Sequence, residues 1–197
     1  MNNSPRIFLG IDPGTGRTGW GVVKKKYTDG KVEIEYVAHG CIVTTQDDVM
    51  PKRLHNLHKE LEKIIKEFNP ECLIVEQLFF GRNTKTAISV GQARGVIMMS
   101  AGKRDLPLFE YTSISVKYSL SGNGRLDKKD IQKIVKSILG KNKATLSFNT
   151  KDSGFDDSAD ALAIAIHHSF KMHGFVSPAF VQKEPKKKVK KSRVKKN

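Results

Sequence analysis

The chain has 197 residues, enough for one domain with an appendage and too few for a multi-domain enzyme. Its 38% hydrophobic and 28% charged residues can build an ordinary core, which excludes wholesale disorder and a fibrous repeat. With 35 Lys and Arg against 20 Asp and Glu, the formal charge of +15 points to a polyanionic partner, nucleic acid before an anionic membrane surface. The longest apolar runs, Cys72 to Val75 and Ala161 to Ile166, fall far short of the roughly 18 residues of a membrane helix. Met1 to Arg6 does not read as a secretory signal, and Cys41 and Cys72 lack a metal-ligand spacing. A cytoplasmic protein without structural zinc is the expectation.

In chain order, Arg6 to Asp12 alternates as a strand, and Gly19 to Lys24 and Lys31 to Val43 follow as β segments joined by short connections, an antiparallel meander. Leu54, Leu57, Leu61, Ile64, Ile65 and Phe68 recur at helical spacing until Asn69-Pro70 stops the helix. Cys72 to Val75, followed by Glu76, is a continuous apolar run of the kind a buried parallel strand shows. Lys85 to Lys103 predicts a helix rich in small residues, and Leu106 to Tyr111 a short strand. A helix with Asp127 as N-cap carries Ile131, Val135 and Leu139, and a last helix runs from about Asp156 to Met172. This pattern predicts an α/β fold, a mixed five-stranded sheet flanked by helices, over residues 1–175. From Pro178 to Asn197 nine basic residues face one acid, Glu184, so 178–197 is expected to be a disordered basic tail. It serves either as a solubilising end or as a nonspecific DNA tether.

The chemistry-bearing residues are carboxylates. Asp12 ends the first strand ahead of the turn Pro13-Gly14-Thr15-Gly16, a pattern shared by metal nucleases, by phosphate-binding ATPases and by plain turns. Glu76 closes the buried strand, where an unpaired carboxylate costs several kcal/mol unless a cation compensates it; a surface cap is the bland alternative. If the two strands are parallel neighbours, Asp12 and Glu76 lie side by side at the ligand-binding carboxyl edge. Asp157 and Asp160 share a helix face at i and i+3, with Asp156 and Asp160 as a second pair at i and i+4. The apolar residues after them mark a buried helix, although the helix dipole alone also favours acids in a first turn. Hard oxygen ligands suit Mg2+ or Mn2+. In a basic protein such ligands suggest phosphodiester hydrolysis, with two ions about 4 Å apart activating water and stabilising the leaving oxygen.

Four segments carry a resemblance: Leu9-Gly10-Ile11-Asp12-Pro13-Gly14, Val75-Glu76-Gln77-Leu78-Phe79-Phe80, Gly91-Gln92-Ala93-Arg94-Gly95 and Asp157-Ser158-Ala159-Asp160-Ala161-Leu162-Ala163. In order and spacing, over about residues 6 to 170, the chain resembles the RuvC Holliday-junction resolvases of bacteria. The resemblance implies an RNase H-like fold, a homodimer, and Mg2+-dependent paired nicking of four-way DNA junctions in recombination and repair. By motif, Asp12, Glu76, Asp157 and Asp160 match the family's four catalytic, metal-binding carboxylates, which selects Asp157 over Asp156. Phe79 matches the aromatic that stacks on unpaired bases, while Lys117 and Lys128 match lysines that contact DNA and support catalysis, with Lys129 competing for the second role. Arg82 and Lys85 could grip the strand by the same charge logic. The resemblance also implies the RuvA and RuvB branch-migration proteins as partners.

Alternatives remain on the sequence alone. An actin-like or sugar-kinase ATPase needs a second lobe for which there is no room, and a non-catalytic junction binder has no reason to keep acids facing phosphate. An RNase H acting on RNA/DNA hybrids would share the metals. His167 and His168 are minor candidates near the metals, since seven or eight residues beyond Asp160 places them about 10 to 12 Å along the helix. The small-residue helix is expected to form part of the dimer contact, with packing on the sheet as the other explanation.

Overall fold

The computed structural model describes residues 4–28, 31–77, 84–140 and 155–172. The elements are β1 (Arg6–Asp12), β2 (Arg17–Thr28), β3 (Lys31–Val43), α1 (Met50–Phe68), β4 (Cys72–Glu76), α2 (Thr84–Gly102), β5 (Leu108–Tyr111), α3 (Ser113–Ser121), α4 (Lys128–Leu139) and α5 (Phe155–Lys171). The mixed sheet has the order β3-β2-β1-β4-β5, with β1, β2 and β3 antiparallel and β4 parallel to both β1 and β5. The fold class expected from the sequence is the one observed, with one added helix and several shifted boundaries, the largest in β2, which runs over Arg17–Thr28 where Gly19 to Lys24 was expected. Helix α3 was not expected, α1 begins at Met50 rather than Leu54, and β5 is confined to Leu108–Tyr111.

Strand alternation divides the core between the two faces of the sheet. Phe8, Val23, Cys72 and Ile74 face α5 and join Ala159, Leu162 and Ile166, while Leu9, Ile11, Leu73 and Val75 face the other way, onto α1 and α2. On that second face α1 buries Leu57, Leu61, Ile64 and Ile65, the predicted stripe, and ends where Asn69 turns left-handed (φ 43°) and its N–H donates to Ile65 O.

On the first face α5 comes unusually close to the strands. A Cβ on Gly10 would lie 2.1 Å from the Ala161 carbonyl oxygen, and one on Gly21 would lie 2.6 Å from Leu162 Cγ. Gly10 and Gly21 are direct partners across β1 and β2, so two adjacent strands are bare at the point where the helix crosses. Further along, Lys25, only 1% exposed, crosses from β2 and donates from Nζ to the Ser169 carbonyl at 2.8 Å, closing off the last turn of α5.

The same helix carries a buried histidine pair. His168 stands edge-on to Phe8, with ring centroids 5.0 Å apart, shares a 3.0 Å hydrogen bond with the Tyr111 hydroxyl, and has Nε2 3.6 Å from Cys72 Sγ. His167 stands edge-on to Tyr111 and is hydrogen-bonded to Ser119 on α3. Burial, reinforced by nearby cations, pushes both histidines down to about 4.

Two predictions follow from this packing. Gly10→Ala should destabilise the protein by about 1–3 kcal/mol or more, because backbone and not a flexible side chain is in the way; urea unfolding measures it, and an unchanged midpoint would contradict the close approach. The histidines have folded-state pKa values below the unfolded value near 6.5, so between about pH 6.5 and 4 the unfolded chain takes up protons that the native one refuses. Stability should therefore be fully present above about pH 6.5 and fall as the pH drops toward 4, a slope that His168→Gln should make shallower in urea titrations.

Candidate active site

Asp12 and Glu76 stand at the carboxyl ends of neighbouring parallel strands. The β1–β4 register ends with Ile11 opposite Val75, which puts Asp12 and Glu76 one step further on. Alternation gives both acids the α5 face, in line with Phe8 and Gly10 on β1 and with Cys72 and Ile74 on β4. Across the other ladder Asp12 is paired with Gly19, which has no side chain to crowd the carboxylate.

The turn after Asp12 is held by Thr18, whose hydroxyl donates to the Gly14 carbonyl at 2.6 Å. A Cβ on Gly14 would lie 2.1 Å from the Arg17 carbonyl oxygen, so this glycine is demanded by the return of the chain into β2. The turn therefore has a local steric reason that does not call for a bound nucleotide.

Helix α5 begins at this same edge and runs back across the sheet, with Ala161 over Gly10 and His168 over Phe8. Its first turns thus bring Asp160, partly buried, to the two strand ends. Asp160 and Glu76 line one small open pocket with Ser113, Val116 and Lys117 of α3 and Ile131 of α4. The backbone of Asp157 lies one turn earlier in α5, while its side chain falls outside the described residues.

Two lysines flank the acids. Lys117 reaches the pocket from α3, and its Nζ donates to the Leu126 carbonyl at 2.9 Å, which ties α3 to the entry of α4. Lys128 Nζ stands 3.9 Å from Asp160 Oδ2 with its side chain 62% exposed, a loose pair worth little to stability. Of the adjacent lysines, Lys128 is the one turned to Asp160. Phe79 and Arg82 lie outside the described residues, as does the side chain of Lys85, whose backbone belongs to α2; the basic segment 178–197 is outside them too. His167 and His168 are engaged with Tyr111, Ser119 and Cys72 further along α5.

Sequence reasoning missed two contributors. Ser113 belongs to the unexpected helix α3, and Arg94, given no role of its own within its motif, donates from Nη1 to the Glu76 carbonyl at 2.9 Å. The nearest signal for α3 was Thr112 preceding it and Gly122 following: Thr112 accepts from Ser115 N–H as N-cap, and Gly122 ends the helix at φ 80°.

Chemically, Asp12, Glu76 and Asp160 offer only oxygen donors, which fit a hard divalent cation. Among the described residues no three Asp, Glu, His or Cys side chains are grouped closely enough to hold a metal ion. Among the same residues no helix is long and apolar enough to cross a membrane.

Comparison with known proteins agrees with this geometry. The family model for crossover junction endodeoxyribonuclease RuvC matches residues 8–168. The enzyme of that name from Desulfitobacterium hafniense is 45% identical over 163 residues, covering 83% of this chain and 92% of its own. The one from Rubrobacter xylanophilus is 40% identical, covering 86% and 88%. The structure of Thermus thermophilus RuvC superimposes with a TM-score of 0.71 at 29% identity, covering 87% of this chain and 98% of that one. The yeast mitochondrial Holliday junction resolvase, at 18% identity and a TM-score of 0.57, shares the fold. With the match spanning both strand-end acids and the acidic start of α5, the chain belongs to the RuvC family of crossover junction endodeoxyribonucleases.

Proposed function

We propose that this protein resolves four-way DNA junctions by hydrolysing one phosphodiester in each of two symmetric strands, with Asp12, Glu76, Asp157 and Asp160 as metal ligands. The observation that carries the reading is that Glu76 and Asp160 line one pocket with Lys117, with Asp12 at the end of the strand next to that of Glu76. A Thermus thermophilus relative, 29% identical, has been solved in complex with a Holliday junction substrate. RuvC enzymes are metal-dependent nucleases; for this chain we take the metal to be Mg2+, replaceable by Mn2+, with two ions per site.

When bound, such ions would supply Lewis-acid stabilisation and an activated water at the scissile phosphate. The chain's own groups do the rest. Asp12 and Glu76 would fix two donor positions because they project from a hydrogen-bonded sheet, and Asp160 with Asp157 would complete the set from the first turns of α5. Lys117, steadied by the Leu126 carbonyl, and the more exposed Lys128 would offset phosphate charge at the mouth of the pocket. Phe79 would stack on a splayed base, and Arg82 and Lys85 would hold the strand beyond it. We place the protein in the cytoplasm, with the basic 178–197 segment as either a solubilising end or a nonspecific DNA tether, and RuvA and RuvB are the partners the family reading supplies.

Paired cuts need two active sites, and α2 offers the surface that could join two copies. One face of α2 buries Ala93, Ile97 and Ala101 in the core it shares with α1 and the sheet. The other exposes Ile88 (67%), Met98 (50%) and Met99 (52%), with open space over Gly91, Gly95 and Gly102. The small residues thus divide between the two explanations, alanines inward and glycines outward. An isologous contact through the outward face would produce the twofold symmetry that symmetric cutting needs.

Asp12→Asn should bind a mobile four-way junction but cut it at least about 100-fold more slowly in Mg2+, the scale of losing one preorganised electrostatic contact. Junction, linear duplex and RNA/DNA hybrid compared side by side test the substrate: cutting of the hybrid alone would move the protein to the RNase H reading. Met98→Glu should convert a dimer to a monomer in light scattering and replace paired cuts with single nicks on a supercoiled cruciform; a dimer that persists would remove α2 from the interface.

A further inference from the structure

The peptide linking Glu76 to Gln77 is gripped from both sides. Its N–H, from Gln77, donates to the Tyr111 carbonyl at 2.8 Å, toward β5. In a trans peptide the carbonyl points the opposite way, so the Glu76 oxygen faces the β1 side. There the parallel ladder has ended at Ile11 and Val75. Continuing it by one pair would set Asp12 opposite Glu76 and call on the backbone N–H of residue 13 as donor. Residue 13 is proline, which has none.

Arg94 stands where that donor is missing. It belongs to α2, on the sheet face opposite α5, and its side chain is only 13% exposed. Nη1 donates to the Glu76 carbonyl at 2.9 Å, while Nη2 is paired with the Glu110 carboxylate on β5. The fork therefore joins α2 to the ends of two strands, and Glu110 supplies the counter-charge that keeps the guanidinium on its own side of the sheet.

We propose that Arg94 is a positioning residue for Glu76: it replaces the ladder donor that Pro13 removes and sets the orientation of the peptide from which the Glu76 carboxylate projects toward α5. The proposal rests on Glu76 being a metal ligand. A strand-end carboxylate whose peptide is held on the β5 side alone would sample more directions, and the site would have to order it each time a metal binds. With Arg94 in place the ordering is built into the fold.

The test compares Arg94→Met, Arg94→Lys, Glu110→Gln and Glu76→Gln with wild type. Mn2+ binding without DNA is followed by the electron paramagnetic resonance of the free ion. Junction affinity is measured without divalent metal, and single-turnover cleavage across a Mg2+ series. Arg94→Met should weaken Mn2+ binding and slow cleavage at limiting Mg2+ by about 10- to 100-fold, with junction Kd within about two-fold of wild type and partial recovery at high Mg2+. Arg94→Lys, which keeps one charged donor, should fall between, and Glu110→Gln should lose less than Arg94→Met. Wild-type Mn2+ affinity and a wild-type Mg2+ profile in Arg94→Met would overturn the proposal, whatever the melting temperature. If Arg94→Met does not fold, the same two readouts on Arg94→Lys decide. Wild-type Mn2+ binding by Glu76→Gln would instead remove Glu76 from the site, and with it the reading on which the proposal stands.

Discussion

The close seating of α5 on β1 and β2 is the constraint from which the site follows. Because Gly10 and Gly21 present no side chains, the Ala161 backbone and Leu162 rest almost directly on the strands. A helix pressed this tightly has little freedom to rotate or slide without overlap, since packed interiors transmit small displacements. Its first turns are thereby fixed at the carboxyl edge of the sheet, which is where Asp12 and Glu76 end their strands. The buried pairing of Lys25 with Ser169 and the aromatic packing of His168 hold the far end of the same helix.

The two faces of the sheet do different work. The α5 face carries the acids and the lysine-bearing helices α3 and α4, so the proposed metal ligands and the lysines proposed to offset phosphate share one side. The opposite face carries α1 and α2, which supply the larger aliphatic packing and, through α2, both an outward strip of exposed apolar and glycine positions and the inward hold of Arg94 on β4. A single helix thus serves the surface through which two copies would meet and the backbone behind one acid. That economy is natural for a helix such as α2 on the outside of the sheet, with one buried and one exposed side, whereas α5 is buried nearly all round from Ser158 to Phe170.

Much of this could be read from residue order. Alternation along Arg6–Asp12 and the apolar run before Glu76 set the strand ends, and a crossover helix makes a parallel strand natural, but that β4 lies next to β1 was only a condition in the sequence and is settled by the register. Helix α3 could not be read this way. In Ser113–Ser121 the apolar residues Ile114, Val116, Tyr118 and Leu120 alternate as in a strand, and only Val116 and Leu120, four apart, are buried. Its caps, not its periodicity, make it a helix. Arg94 was hidden for a different reason: its partners are a backbone carbonyl and a glutamate 16 residues away, and neither contact leaves a spacing signature.

The central claim is that the fold delivers carboxylates from two strand ends and one helix to a common metal position. Diffraction from crystals soaked in Mn2+ at the manganese absorption edge tests it directly. The account predicts an anomalous peak held between Asp12 and Glu76, with an α5 carboxylate completing the set at the roughly 2.0–2.2 Å expected of a small hard cation bound by oxygen. A peak elsewhere on the surface, with Asp12 and Glu76 turned away from any bound ion, would contradict it.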